Sequence, residues 1–309
     1  MLAEGMVRAR RRPDVLEVSK VTQAAGNTAG DFMSRWLEVV ERTATVASVA
    51  ERMKEAKVGS VLVGTPGEPG QARSVEGIVT ETDLVRRVVA REMPADTLAV
   101  DRVMTVPPVT IEAGRSMLDA NQMMDQNRVR HLCVTEGGRI AGVISVRDLV
   151  RYFLSQAAGP ISELDDVHRP LSVLMRRDIK TIDERDSMLE AARRMEDRHV
   201  GALLVTAGPE ASPVGIVTEG NLVREVLPYK LNPRDVPVST LMNQPLISID
   251  INRTVHDAND LMAERGVRHL LVTEHGGIVG ILSVRDLVRM ISIRDRSRFL
   301  QEGSKGGTG

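Results

Sequence analysis

Four times along the chain a hydroxyl residue stands three positions before a carboxylate or its amide: Thr80 and Asp83, Ser145 and Asp148, Thr218 and Asn221, Ser283 and Asp286. Each hydroxyl closes an apolar run that reads as a strand, and each acid or amide opens a segment that reads as a helix. At such a junction free backbone N–H groups and the positive end of the helix dipole point outward, so the hydroxyl is placed to share a phosphate oxygen with them. The carboxylate can accept hydrogen bonds from two vicinal ribose hydroxyls. Apolar strand residues beside it can sandwich a purine whose edge the backbone reads. The chemistry expected is one nucleotide site per copy. The same spacing is also a capping box, which needs no ligand, and both readings stand at this point. Asn221 departs from the pattern: a neutral amide is a poorer partner for a diol, so the third copy is expected to be empty or altered.

A second group brings positive charge to the same place. Arg130–His131 and Arg268–His269 lead into apolar runs in copies two and four, where copies one and three have Gly59–Ser60 and Gly201–Ala202. Arginine offers bidentate phosphate contacts, and histidine adds a donor whose charge state is open. The alternative is that these are strand-end residues making local ion pairs. Arg86, Arg151, Arg224 and Arg289 recur three residues after the acid or amide, on a solvated helix face or reaching a phosphate from the side. His168, His199, His256 and His275 show no metal-ligand spacing. There is no Ser–His–Asp constellation and no phosphate loop with lysine, so no catalysis is expected.

These residues are positioned by a repeat. Met33, Met104, Met175 and Met242 are each followed twenty residues on by Met53, Met124, Met195 and Met262, and the methionines read as core. Each copy predicts strand, helix, strand, strand, helix, an α+β unit. The first helices have Thr45, Ser116, Ser187 and Thr254 as N-caps, with Asp119, Glu190 and Asp257 completing capping boxes and Ser48 breaking the pattern in copy one. A glycine opens the third segment each time: Gly77, Gly142, Gly215 and Gly280. Residues 129–151 and 267–289 match at 17 of 23 positions, so the simplest history is a duplicated pair. Cys133 falls in an apolar strand and is expected to be buried and inert.

The hallmark sequences GIVTETD, GVISVRD, GIVTEGN and GILSVRD, each downstream of a capped helix, resemble the CBS (cystathionine-β-synthase) domain family over residues 30 to 294. The resemblance implies four β-α-β-β-α repeats forming two Bateman modules packed as a disc, with repeats one and two paired and three and four paired. The layout looks like that of the gamma subunit of AMP-activated protein kinase. It implies AMP, ADP or ATP as bound ligand with no required cofactor, and an unidentified protein regulated by the module. S-adenosylmethionine or a dinucleotide is the alternative adenosyl ligand. It assigns ribose contacts to Asp83, Asp148, Asp286 and Asn221, and phosphate contacts to Thr80, Ser145, Thr218, Ser283, Arg130, His131, Arg268 and His269. Base or ribose contacts fall to the first-strand residues Thr110, Thr181 and Ser248.

The expected division is a basic tail over 1–29, repeats over 30–93, 98–158, 168–229 and 234–294, and a tail over 295–309, with a linker near Pro160–Pro170. A formal net charge of −1 over 309 residues gives no overall bias toward nucleic acid or membrane, and 2% aromatics leave few stacking platforms. Nucleic-acid binding through Arg8–Arg12 is the competing expectation. No apolar run is long enough for a bilayer, no secretory signal is apparent and there is one cysteine, which together predict a cytoplasmic protein, as a monomeric disc or a homodimer.

Overall fold

In the computed structural model, which describes residues 27–68, 70–154, 170–208 and 211–289, the described residues form twelve strands in four three-stranded sheets. The Arg8–Arg12 segment, most of the Pro160–Pro170 linker and the C-terminal tail lie outside the described residues. The sheets are β1 (Val39–Val40), β2 (Ser60–Pro66) and β3 (Ala72–Thr80); β4 (Thr110–Glu112), β5 (His131–Glu136) and β6 (Arg139–Ser145); β7 (Thr181–Asp183), β8 (Ala202–Thr206) and β9 (Pro213–Thr218); and β10 (Ser248–Asp250), β11 (His269–Glu274) and β12 (Gly277–Ser283). In each, the short first strand runs parallel to the second and the third returns antiparallel. A parallel step needs a crossover, and the first helix of each repeat supplies it: Val46–Ala56, Met117–Gln126, Met188–Arg198 and Val255–Arg265.

All four first helices start on the expected residue, with Thr45, Ser116, Ser187 and Thr254 each accepting a bond from the backbone N–H three residues on. Asp119 and Asp257 close capping boxes. Glu190 does not: its carboxylate takes Arg194 Nε at 2.8 Å one turn along, so the helix keeps half of the predicted box. The second helices differ by repeat type. Val146–Leu154 and residues 284–289 are α-helical, whereas Glu81–Leu84 and Glu219–Asn221 widen into π turns over Val85–Val89 and Leu222–Val226.

Sheets meet within a module and helices meet between modules. Leu37, Leu62 and Ile78 of repeat one share a cluster with Cys133 of repeat two. Met53, Leu84 and Val88 of repeat one share a core with Met188, Met195 and Leu222 of repeat three, and repeats two and four share the other large core. This is the expected disc of two Bateman modules. Burial pushes the Cys133 thiol up to about 12. No helix among the described residues is long and apolar enough to cross a membrane.

The segment leading into each repeat packs on the other repeat of its module. Ser34 exchanges backbone hydrogen bonds with Val143 at 2.9 and 3.0 Å, Thr105 with Ile78, Arg176 with Ile281 and Asn243 with Ile216. The residue before each of these is a register methionine, and it lies on the register glycine of the partner repeat: Met33 on Gly142, Met104 on Gly77, Met175 on Gly280 and Met242 on Gly215. A Cβ on Gly77, Gly280 or Gly215 would stand 2.5–2.8 Å from the methionine sulfur. The glycines therefore admit the neighbouring repeat's thioether, which explains the shared spacing of both residue types.

Candidate ligand grooves and the charged centre

The hydroxyl–acid motifs sit at the strand-to-helix junctions the sequence predicts, and in this structure the capping reading is satisfied in every copy. Thr80, Ser145, Thr218 and Ser283 each direct the hydroxyl to residue i+3, at 2.6 Å to Asp83, 2.7 Å to Asp148, 2.7 Å to Asn221 and 2.5 Å to Asp286. The same oxygen receives the hydroxyl residue's backbone N–H. One side-chain oxygen is thus committed to the cap, and the other terminal atom of the side chain, an oxygen in the three aspartates and a nitrogen in Asn221, distinguishes the copies.

A cavity of about 980 Å³ contains Asp148 with Ser145 and Asp286 with Ser283, so two of the predicted sites open into one space. Arg130, His131, Arg268 and His269 line it too. A second cavity of about 410 Å³ is lined by Asn221 and Thr218 and also by Arg268 and His269. Asp83 and Thr80 line neither; Asp83 pairs instead with Arg87 at 3.3 Å. Asn221 spends its amide on Leu241 O at 2.8 Å and Asn243 Oδ1 at 3.2 Å.

Asp148 and Asp286 are not equivalent. Asp286, 4% exposed, has its Oδ1 held by Arg176 Nε at 3.0 Å. Asp148 makes its hydrogen bonds through Oδ2 to Ser145, and burial pushes its carboxyl up against those bonds.

Arg130 and Arg268 reach the middle of the disc, where each meets a carboxylate of the other module. Arg130 Nη2 contacts Glu219 Oε2 at 2.5 Å and also reaches Thr82 Oγ1, and Thr82 donates to Glu219 at 3.1 Å. Arg268 Nη1 contacts Glu81 Oε2 at 2.5 Å, and Arg224 Nη2 takes Glu81 Oε1 at 2.6 Å. Glu81 is 1% exposed and Glu219 3%. Burial alone would raise the Glu81 carboxyl, but Arg268 and Arg224 hold it at about 2. Arg130 is half-buried, and Glu219 more than offsets its desolvation, keeping it charged. Arg224, which the sequence left on a solvated face or at a phosphate's side, is therefore part of this cross-module charged set. Glu81 and Glu219 escape sequence reasoning because an acid in a helix's first turn reads as ordinary dipole pairing. The available signal was that both occupy one motif position in the odd repeats, while the even repeats carry the arginines.

Cations remain in excess around this centre. Arg147 and Arg285 also line the cavity, and desolvation followed by the nearby Arg268 and Arg130 respectively pulls each below the usual arginine range. His131 and His269 are brought down to about 3 by burial and then by Arg130 and Arg268, so both are neutral near pH 7. They can serve an anion only as neutral N–H donors.

Thr110, Thr181 and Ser248, the first-strand residues expected at the base or ribose, lie away from both cavities. All three are exposed, while their neighbours Ile111, Ile182 and Ile249 are buried. Strand alternation turns the hydroxyls outward. The lining residues come from just upstream: Trp36, Leu37 and Glu38, Asp178 and Lys180, and Pro245 to Ile247. Among the described residues no cluster of His, Cys, Asp and Glu could hold a metal ion.

Comparison with known proteins places these features. A family model described as CBS domain matches residues 29–90, 100–155, 171–228 and 238–293. A Methanocaldococcus jannaschii protein, described as a proposed archaeal homologue of the gamma subunit of AMP-activated protein kinase, shares the fold with a TM-score of 0.69 at 17% identity, covering 85% of this chain and 99% of that one. An uncharacterised Pyrococcus horikoshii protein gives 0.55 at 18% identity, with the same coverage. An uncharacterised Methanopyrus kandleri protein is 30% identical over 116 residues, 37% of this chain and 59% of that protein. A CBS domain-containing protein of Arabidopsis thaliana is 23% identical over 306 residues, 89% of this chain and 53% of that protein. The chain spans about half the length of the curated relatives it matches.

Proposed function

The chain belongs to the CBS-domain family, and on that premise we propose that it is a non-catalytic regulatory protein whose grooves bind adenine nucleotides of the AMP, ADP or ATP type. The observation that carries this reading is the placement of Arg130 and Arg268 in one cavity with Asp148 and Asp286. A carboxylate for a ribose diol and a guanidinium for a phosphate in the same space suit a nucleotide. S-adenosylmethionine has no phosphate and would offer the arginines only its single α-carboxylate.

The ion pairs suggest how binding is felt. Arg130 is held by Glu219 and Arg268 by Glu81, each across the boundary between modules. A phosphate that takes either guanidinium competes with a carboxylate of the other module. Binding then exchanges a cross-module contact for a ligand contact and shifts how the modules pack, which a partner protein reads.

Calorimetry of the purified chain with AMP and ATP tests the proposal. Saturable binding that is weakened in Asp148→Ala and Arg130→Ala is the expected result. No binding of any adenine nucleotide, or binding unaltered in both variants, would overturn it.

A further inference from the structure

The two grooves of the larger cavity use equivalent positions but different side chains, and the difference falls beside the site acid. After Met33 come Ser34, Trp36 and Glu38; at the same offsets after Met175 come Arg176, Asp178 and Lys180. All six line the cavity. In the second groove these residues satisfy the acid and one another: Arg176 holds Asp286 at 3.0 Å, and Lys180 Nζ lies 2.6 Å from Asp178 Oδ1. In the first groove the place of Arg176 is taken by a serine, and the place of Asp178 by the chain's one tryptophan.

Trp36 is held as a fixed plate. Its Nε1 donates to Glu38 Oε1 at 2.9 Å, and the other Glu38 oxygen takes Arg52 Nε at 2.9 Å. The β2–β3 loop covers the indole with Gly70, whose carbonyl accepts the Leu37 N–H at 2.9 Å. A Cβ on Gly70 would stand 2.6 Å from the indole Cε3, and its φ is +81°, so the close approach needs glycine on both counts. An aromatic ring tied at its edge, backed by a loop and lining a cavity beside a diol-accepting carboxylate is preorganised for stacking.

We propose that Trp36 stacks on the purine base of a nucleotide in the Asp148 groove and makes that groove the tighter, purine-selective one. In the Asp286 groove the ligand must first displace Arg176 and meets an ion pair where the base would lie, so it binds more weakly. The proposal rests on the nucleotide reading above and names the residue that selects the base.

The test follows tryptophan fluorescence and binding heat together on the full chain, with AMP, adenosine and UMP as probes. AMP is expected to change the Trp36 signal along the same curve as the calorimetric isotherm, with UMP binding far more weakly. Trp36→Leu should weaken adenosine and AMP alike by about tenfold. Trp36→Phe keeps a stacking ring, so it should retain most of the affinity and shows whether the leucine variant has lost a contact or its fold. Asp148→Ala should abolish the fluorescence change and Asp286→Ala should leave it. Binding heat with an unchanged fluorescence signal, or Trp36→Leu binding like the parent, overturns the assignment of Trp36 and leaves the sensor reading standing. Absence of heat with every adenine compound overturns both.

Discussion

Arg130 of repeat two and Glu219 of repeat three lie 2.5 Å apart across the boundary between the modules, in surroundings where the glutamate is 3% exposed. The pair passes beside Gly201, where a Cβ would lie in ordinary contact, 3.5 Å from Glu219 Oε2 and 3.7 Å from Arg130 Nη1. The small residues of the odd repeats therefore lie against the charged centre, with Gly59 similarly beside His131 and Glu81.

Removing the carboxylate should separate stability from affinity. Glu219→Gln keeps the shape but leaves Arg130 without a charged partner, which should lower unfolding free energy by about 3 kcal/mol. The same change removes phosphate's competitor, so AMP should bind several-fold more tightly. Denaturant melts and calorimetry on one preparation check both signs. Lower stability with weaker AMP binding would show that Glu219 supports the groove instead of competing for it.

Removing the cation should discriminate between ligands. Arg130→Ala or Arg268→Ala should weaken AMP about tenfold, since a charge-assisted contact is worth roughly 1.5–3 kcal/mol, and leave adenosine nearly unchanged. The loss should shrink at high salt. Equal losses for adenosine and AMP would remove the arginines from the phosphate end.

Acid should destabilise the disc in two windows. His131 and His269 ordinarily titrate near 6.5 and are held at about 3, so the unfolded chain takes up their protons first, and stability falls as pH drops from 6.5 toward 3. Glu81, ordinarily 4.5 and held at about 2, contributes stability above pH 4.5 that is lost as pH falls toward 2. Melting temperatures from pH 8 to 4 should decline below 6.5, and the double variant His131→Gln/His269→Gln should be markedly flatter between 6 and 4. An identical slope in that variant would mean other groups carry the acid response.

The glycine positions should show coupling with their methionines. Gly142→Ala forces a methyl group onto Met33 and should cost about 1–3 kcal/mol. In a Met33→Ala background the same change should cost little, a coupling that a double-mutant cycle in urea reads directly. Additive costs would place the strain elsewhere.

The elements were legible because their signals are local: Thr254 caps and Asp257 answers within one turn, and Val272 and Leu282 alternate within one hairpin. Glu190 was misread because two partners lie within its reach and Arg194 takes it. The Asp motifs were legible as positions, but which of them share a space depends on how the modules face each other, and a single repeat carries no trace of that. Trp36 passed unnoticed for a related reason. It lies outside the hallmark segment, and its meaning comes from Gly70, a hairpin tip whose contact with it no short-range pattern encodes.

The exchange of leading segments also orders events during synthesis. Ile78 can pair once Thr105 has emerged, so the first repeat receives its neighbour's leading segment early, whereas Ser34 must wait for Val143. The second module repeats this timetable, with Ile216 soon answered by Asn243 and Arg176 waiting for Ile281. A nascent chain therefore carries an unclaimed leading segment through most of a module's translation, and that late closure makes the slow, high-contact-order step of folding fall at the end of each pair.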